Sequence, residues 1–244
     1  MISKQKIVSL IDLTQLGDND TDQQIVDLCL KARNSLGTVA AICIYKKFIP
    51  LVKKQLGEAF SVATVVNFPQ GNCSIEEVLA ETAEALELGA DEIDLVIDYK
   101  EYLEKGFSKK SCKMVSKIKE LCGDKILKVI IESGELKSDA LVHKASQDAI
   151  DNGANFVKTS TGKALEGATI QAAKVILQTI KETKKTIGFK ASGGIRDYEQ
   201  AVEYIKLAQA LFSDDYIDPK TFRFGVSSLL DNLLTDGGCV KNGY

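Results

Sequence analysis

The sequence predicts a single-domain α/β protein, a (β/α)8 TIM barrel, on three observations. Eight short runs rich in β-branched residues recur along the 244 residues: KIVSLIDLT (6–14), VAAICIY (39–45), SVATVVNF (61–68), EIDLVID (92–98), ILKVIIES (126–133), NFVKTST (155–161), TIGFKASG (186–193) and FRFGVSS (222–228). Segments with helical periodicity lie between them, and eight strands alternating with helices over about 250 residues suit a closed parallel barrel. The rival is a doubly wound open sheet, but its nucleotide fingerprints, GxGxxG after the first strand and GxxxxGK[ST], are missing.

In chain order, each β-branched run is followed by a helical segment, at roughly 22–34, 46–57, 74–90, 108–121, 138–152, 169–183, 197–211 and 228–234. The segment SIEEVLAETAEALELGA (74–90) carries the clearest signals. Ser74 and Glu77 have capping-box spacing, Ile75, Val78, Leu79, Thr82 and Leu86 repeat at helical spacing, and Gly89 suits the C-terminal cap. The expected organisation is one barrel over 1–234 and a flexible C-terminal tail over 235–244, TDGGCVKNGY, with three glycines and little apolar content.

Composition narrows the function classes. With 45% hydrophobic and 27% charged residues the chain can bury one large core, and a net charge of −3 without a strongly basic window argues against nucleic acid or an anionic membrane surface as partner. No segment approaches 18 uninterrupted apolar residues, so no membrane span is expected. The six cysteines (Cys29, Cys43, Cys73, Cys112, Cys122 and Cys239) form no CxxC pair, and His143 is the single histidine. A zinc site or a histidine-based triad is therefore not expected, and the thiols read as reduced residues of a cytoplasmic protein. The N-terminal run MISKQKIVSLIDLTQ carries Asp12 inside its apolar stretch, unlike a signal-peptide core.

The chemistry is carried by two lysines at predicted strand ends, Lys158 in VKTSTGK and Lys190 in IGFKASGG. In such a barrel the catalytic groups gather at the C-terminal ends of the strands, which puts both amines at one rim. A solvated lysine, with a pKa of about 10.4, is an inert ammonium at neutral pH. Lowering it to about 7 takes roughly 4 kcal/mol. A second ammonium at about 6 Å supplies about 3 kcal/mol at an effective dielectric of 20, and partial burial supplies the remainder. Either lysine alone would read as a stem laid along a strand with its head in water. The pair reads as a Schiff-base site.

Strand alternation adds a carboxylate. Asp94, Val96 and Asp98 share one face of the fourth run and Ile93, Leu95 and Ile97 the other, so the acidic face is expected to point into the barrel. Asp94, mid-strand, is the expected proton shuttle; Asp98 suits a turn cap better. Three small-residue turns follow the last three strands: Gly162–Lys163, Gly193–Gly194–Ile195–Arg196 and Gly225–Val226–Ser227–Ser228. Backbone amides and cations at adjacent strand ends make an anion cradle, and phosphate commonly sits after strands seven and eight of these barrels.

The chain resembles deoxyribose-phosphate aldolases, class I Schiff-base enzymes, through IDLTQL, AAICIY, NFPQG, ADEID, LKVIIESGEL, VKTSTGK, GFKASGGIR and FRFGVSSLL, in that order. The resemblance implies reversible cleavage of 2-deoxy-D-ribose 5-phosphate to acetaldehyde and D-glyceraldehyde 3-phosphate. It implies that Lys158 forms the Schiff base, Lys190 perturbs its pKa and Asp94 joins the proton relay. It further implies that Gly162, Lys163, Gly193, Gly194, Arg196, Ser227 and Ser228 surround the phosphate, with Asp12, Cys43 and Thr161 near the sugar. Tyr244, the last residue, is implied to enter the site and move a proton. No metal or organic cofactor is expected, and the expected partner is a small phosphosugar; whether the chain forms a homodimer is left open by the sequence. Three alternatives stay open: a Schiff-base aldolase or transaldolase for another sugar phosphate, a metal-dependent aldolase, and a non-catalytic phosphosugar sensor.

Overall fold

The computed structural model describes residues 2–235; the remainder of the expected tail, with Cys239 and Tyr244, lies outside the described residues. Eight parallel strands close on themselves: β1 Ile11–Gln15, β2 Ala41–Ile44, β3 Val62–Val66, β4 Glu92–Val96, β5 Ile126–Ile130, β6 Phe156–Lys158, β7 Gly188–Ser192 and β8 Phe222–Val226. Each of the eight β-branched runs holds one strand. β1 pairs with both β2 and β8, so the ring has no open edge. A short hairpin, Arg33–Asn34 with Gly37–Thr38, stands apart from it and was not anticipated.

Parallel neighbours need crossovers, and helices supply them on the outside of the ring. The helix Ile75–Glu87 shows how locally this is encoded. The Ser74 hydroxyl accepts from Glu77 N at 3.2 Å, and the Glu77 carboxylate accepts from Ser74 N at 2.8 Å, so the capping box forms as read. Gly89 then takes φ +100°, a conformation that costs a glycine nothing. Among the described residues no helix is long and apolar enough to cross a membrane.

The first run is not a strand throughout. Lys4–Ser9 is helical, started by the Ser3 hydroxyl accepting from Lys6 N at 3.1 Å, and β1 begins only at Ile11. Ile7 and Val8 are β-branched, but a helical turn buries both in the core, and that burial outweighs a local propensity of a few tenths of a kcal/mol. Helices Tyr99–Lys105 and Ser133–Leu136 are also additions, and the last helix, Leu229–Thr235, runs one residue past the boundary expected at 234.

Two different interiors result. Outward-facing strand residues such as Ile93 and Leu95 pack with the helices in the main core. Inside the ring, β2 and β3 contribute a small apolar cluster of Cys43, Ala63 and Val65. The other six strands fill it with charge: Asp12, Glu92, Asp94, Lys128, Lys158, Lys190 and Arg223, each at most 5% exposed.

Candidate active site

Register brings the charged side chains together. Pairing sets Asp94 beside Lys128, Lys158 beside Lys190, and Lys190 beside Arg223. Asp94 Oδ2 accepts from Lys158 Nζ at 2.7 Å and from Lys190 Nζ at 2.8 Å, while its Oδ1 accepts from Lys128 Nζ at 2.9 Å. Asp12 Oδ2 lies 2.5 Å from Lys190 Nζ and 3.4 Å from Lys128 Nζ, and its Oδ1 accepts from Arg223. Glu92 pairs with Lys128 through Oε2 and with Arg223 at 3.3 Å through Oε1, which also accepts from Ser61 at 3.0 Å.

Lys158 ends β6, and the chain after it is clamped to β7. Thr159 N donates to Lys190 O at 3.0 Å, and the Thr159 hydroxyl accepts from Ser192 N at 2.9 Å. Thr161 N donates to both oxygens of Glu132 at 3.2 Å, which holds the start of the next turn. Fixed this way, Lys158 is the one lysine of the interior network that reaches a pocket of about 330 Å³ at the C-terminal mouth of the barrel. Thr161, Gly162, Lys163, Gly193, Gly194, Arg196, Gly225, Ser227 and Ser228 line the same pocket, so all the residues of the three expected turns meet there. Gly162, Gly193 and Gly194 have φ of +78°, +87° and +88°. Glycine alone tolerates such turns cheaply, and they expose backbone amides to an anion. Lys163, whose Nζ lies 3.2 Å from Asp18, and exposed Arg196 bring cations to this pocket.

The electrostatics separate the amines. Burial pushes Lys158 below the ordinary lysine range; Asp94 opposes this and the Lys190 ammonium reinforces it. Repulsion, the larger share on the sequence reading, is here the smaller effect, and burial dominates. Burial also works against the charges on Lys190 and Lys128, but carboxylates outweigh it and hold both amines above the usual value. Asp94 and Asp12 likewise stay well below the usual carboxylate range, burial opposing and the surrounding cations prevailing. One amine is thus eased toward its nucleophilic form while its neighbour is kept as a cation.

Of the expected residues, Asp94, Lys190, Asp12 and Cys43 do not line the pocket. Asp12 and Cys43 are fully buried beneath it, and burial raises the Cys43 thiol. Asp98 does not join Asp94 inside: β4 ends at Val96, and Asp98 caps the helix Tyr99–Lys105, accepting from Glu101 N at 3.3 Å and pairing with Lys110 at 3.1 Å. Glu92, Lys128, Arg223 and Glu132 were not singled out from the sequence. The alternation that selects Asp94 also selects Glu92, two residues earlier. Among the described residues no group of three His, Cys, Asp or Glu side chains is arranged to hold a metal ion.

A family model described as DeoC/LacD family aldolase matches residues 6–234, nearly the whole barrel. Solved structures are similar over the same span. A protein of Toxoplasma gondii ME49, provisionally named a deoxyribose-phosphate aldolase, is 25% identical with a TM-score of 0.87, covering 95% of this chain and 94% of its own. One from Coccidioides immitis with the same provisional name is 25% identical at a TM-score of 0.85, over 97% and 88% of the two chains. The deoxyribose phosphate aldolase of Aeropyrum pernix, described as tetrameric, is 25% identical at 0.80, over 98% and 94%.

Proposed function

Since the chain belongs to the DeoC/LacD aldolase family and is an aldehyde-lyase, we propose that it reversibly cleaves 2-deoxy-D-ribose 5-phosphate to acetaldehyde and D-glyceraldehyde 3-phosphate through a Schiff base on Lys158. The observation that carries this reading is the one amine of the interior network that reaches the pocket, pushed below the ordinary lysine range and sharing Asp94 Oδ2 with a lysine held above it.

Lys158 Nζ attacks C1 of the open-chain sugar and water leaves, giving a protonated imine. A water held by the Asp94 carboxylate and the Lys190 ammonium takes the proton from the C3 hydroxyl, with Asp94 as the acceptor behind it. The C2–C3 bond breaks, its electron pair moves into the imine to form an enamine, and the glyceraldehyde 3-phosphate half departs. Protonation at C2 and hydrolysis release acetaldehyde and free Lys158. The protonated imine is the electron sink, so the step needs no separate cofactor. Acetaldehyde with borohydride tests this directly, since reduction of the imine should leave an ethyl group on Lys158, found by peptide mass mapping.

The phosphate belongs in the cradle of Gly193, Gly194, Arg196, Ser227 and Ser228, with Lys163 adding charge. Unphosphorylated deoxyribose is then expected to lose about 10³-fold or more in kcat/KM, because remote binding energy is spent on orientation at C1. Similar kcat/KM for both sugars would assign the cradle to another ligand. Gly225 has a separate constraint. A Cβ there would stand 2.0 Å from Ser192 Oγ and 2.9 Å from Lys190 Cε. Gly225→Ala is expected to displace Lys190 and cost about 10²-fold in kcat/KM, since misplacement of about 1 Å suffices for that loss, together with about 1–3 kcal/mol of stability from overpacking.

The five cysteines among the described residues are free, which suits the cytoplasmic setting of this proposal. Self-association completes the proposal, supported by the tetrameric Aeropyrum pernix relative and testable by light scattering.

A further inference from the structure

We propose that Lys128, Glu92 and Arg223, buried beneath the pocket, are positioning residues that set the charge balance of the barrel interior so that Lys158 is the amine left without a proton. The inference rests on the Schiff-base reading of Lys158 and adds a tier of residues that touch no substrate.

The interior can be surveyed strand by strand. β1 contributes Asp12, β2 the thiol of Cys43, β4 Glu92 and Asp94, β5 Lys128, β6 Lys158, β7 Lys190 and β8 Arg223; from β3, Ala63 and Val65 are apolar. Glu132, just past β5, is buried and makes no ion pair among the described residues; its carboxylate accepts from Thr161 N, burial raises its pKa, and it feels the Lys158 charge only without contact. The connected network therefore holds four basic side chains against three carboxylates. An uncompensated charge this deeply buried is costly, and neutralising one group relieves it.

Contact number selects which group. Lys128 meets three carboxylates, Asp12, Glu92 and Asp94. Lys190 meets Asp12 and Asp94, and Arg223 meets Asp12 and Glu92. Lys158 meets Asp94 alone. Arginine does not deprotonate in proteins, so the choice falls among the lysines. The proton held by one carboxylate is the one released, and it is released at the amine that reaches the pocket. Glu92 and Lys128 act on that outcome from below with opposite signs.

The test is the acid limb of the pH profile of kcat/KM, with the pH dependence of acetaldehyde and borohydride labelling of Lys158 as a second readout. Glu92→Gln removes an anion, leaves four cations against two carboxylates, and should move the limb to lower pH. Lys128→Met removes a cation, lets Lys158 keep its proton longer, and should move the limb to higher pH. Each shift is expected at about one to two pH units, and the double variant should return the limb toward its wild-type position. A merely structural role would lower activity without moving the limb in opposite directions. If Lys128→Met fails to fold, Glu92→Gln alone decides, because the amide keeps the shape of the carboxylate. Wild-type protein that is not labelled on Lys158 would sink the Schiff-base reading. Labelled wild type with an unmoved limb in Glu92→Gln would overturn this inference alone.

Discussion

Lys158→Ala is expected to abolish turnover and borohydride labelling together, with a loss of about 10⁵-fold or more in kcat, because the imine-forming amine itself is removed. The fold should survive. Removing Lys158 leaves three cations facing three carboxylates in the interior, and Asp94 keeps its bonds from Lys190 and Lys128. Circular dichroism and a melting curve close to wild type, beside absent activity, would establish that chemistry rather than folding was lost. Labelling that moves to Lys190 and persists with turnover would reverse the roles of the two lysines.

Lys190→Leu is expected to cut kcat/KM at neutral pH by about 10³-fold, partly through lost proton transfer and partly through protonation of Lys158. The sign follows from the charges. Lys190 is a cation whose proximity lowers the Lys158 pKa, so its removal raises that pKa. Activity that needs the unprotonated amine then appears only at higher pH, and the residual rate should favour the alkaline side. Asp12 also loses its 2.5 Å partner, and a destabilisation of about 3 kcal/mol is expected from a buried carboxylate left short of one cation. A near-normal rate with an unmoved pH profile would make Lys190 a spectator.

The parts of this site that were legible in the sequence are those encoded by neighbours in the chain. The turns of the cradle are contiguous motifs, and Ser74 with Glu77 announces a helix from three residues apart. Lys128 was invisible for the opposite reason: a lone lysine in ILKVIIES reads as a stem along a strand. Only partners on other strands identify it, Asp94 being 34 positions away. Helix Tyr99–Lys105 carried a readable signal, with Asp98 and Glu101 at cap spacing and Gly106 at φ +76° closing it. Strand alternation alone groups Asp98 with Asp94, but β4 stops at Val96, and the cap reading preferred for Asp98 is the one that forms. The helix Lys4–Ser9 was hidden because Ile7 and Val8 satisfy either pattern until tertiary burial decides.

Arg223 and Asp12 join the last strand to the first across 211 positions of sequence. Loop-closure entropy grows only as a logarithm, so this join costs about 1.6 kcal/mol more than one spanning 34 positions. The equilibrium penalty is small, but the order of events is constrained. A chain emerging from the ribosome carries Asp12 from the outset and receives its guanidinium only when β8 has been made. A sheet of the first seven strands is an arc still open beside β1, and the guanidinium closes the ring as the third cation on Asp12, after Lys128 and Lys190.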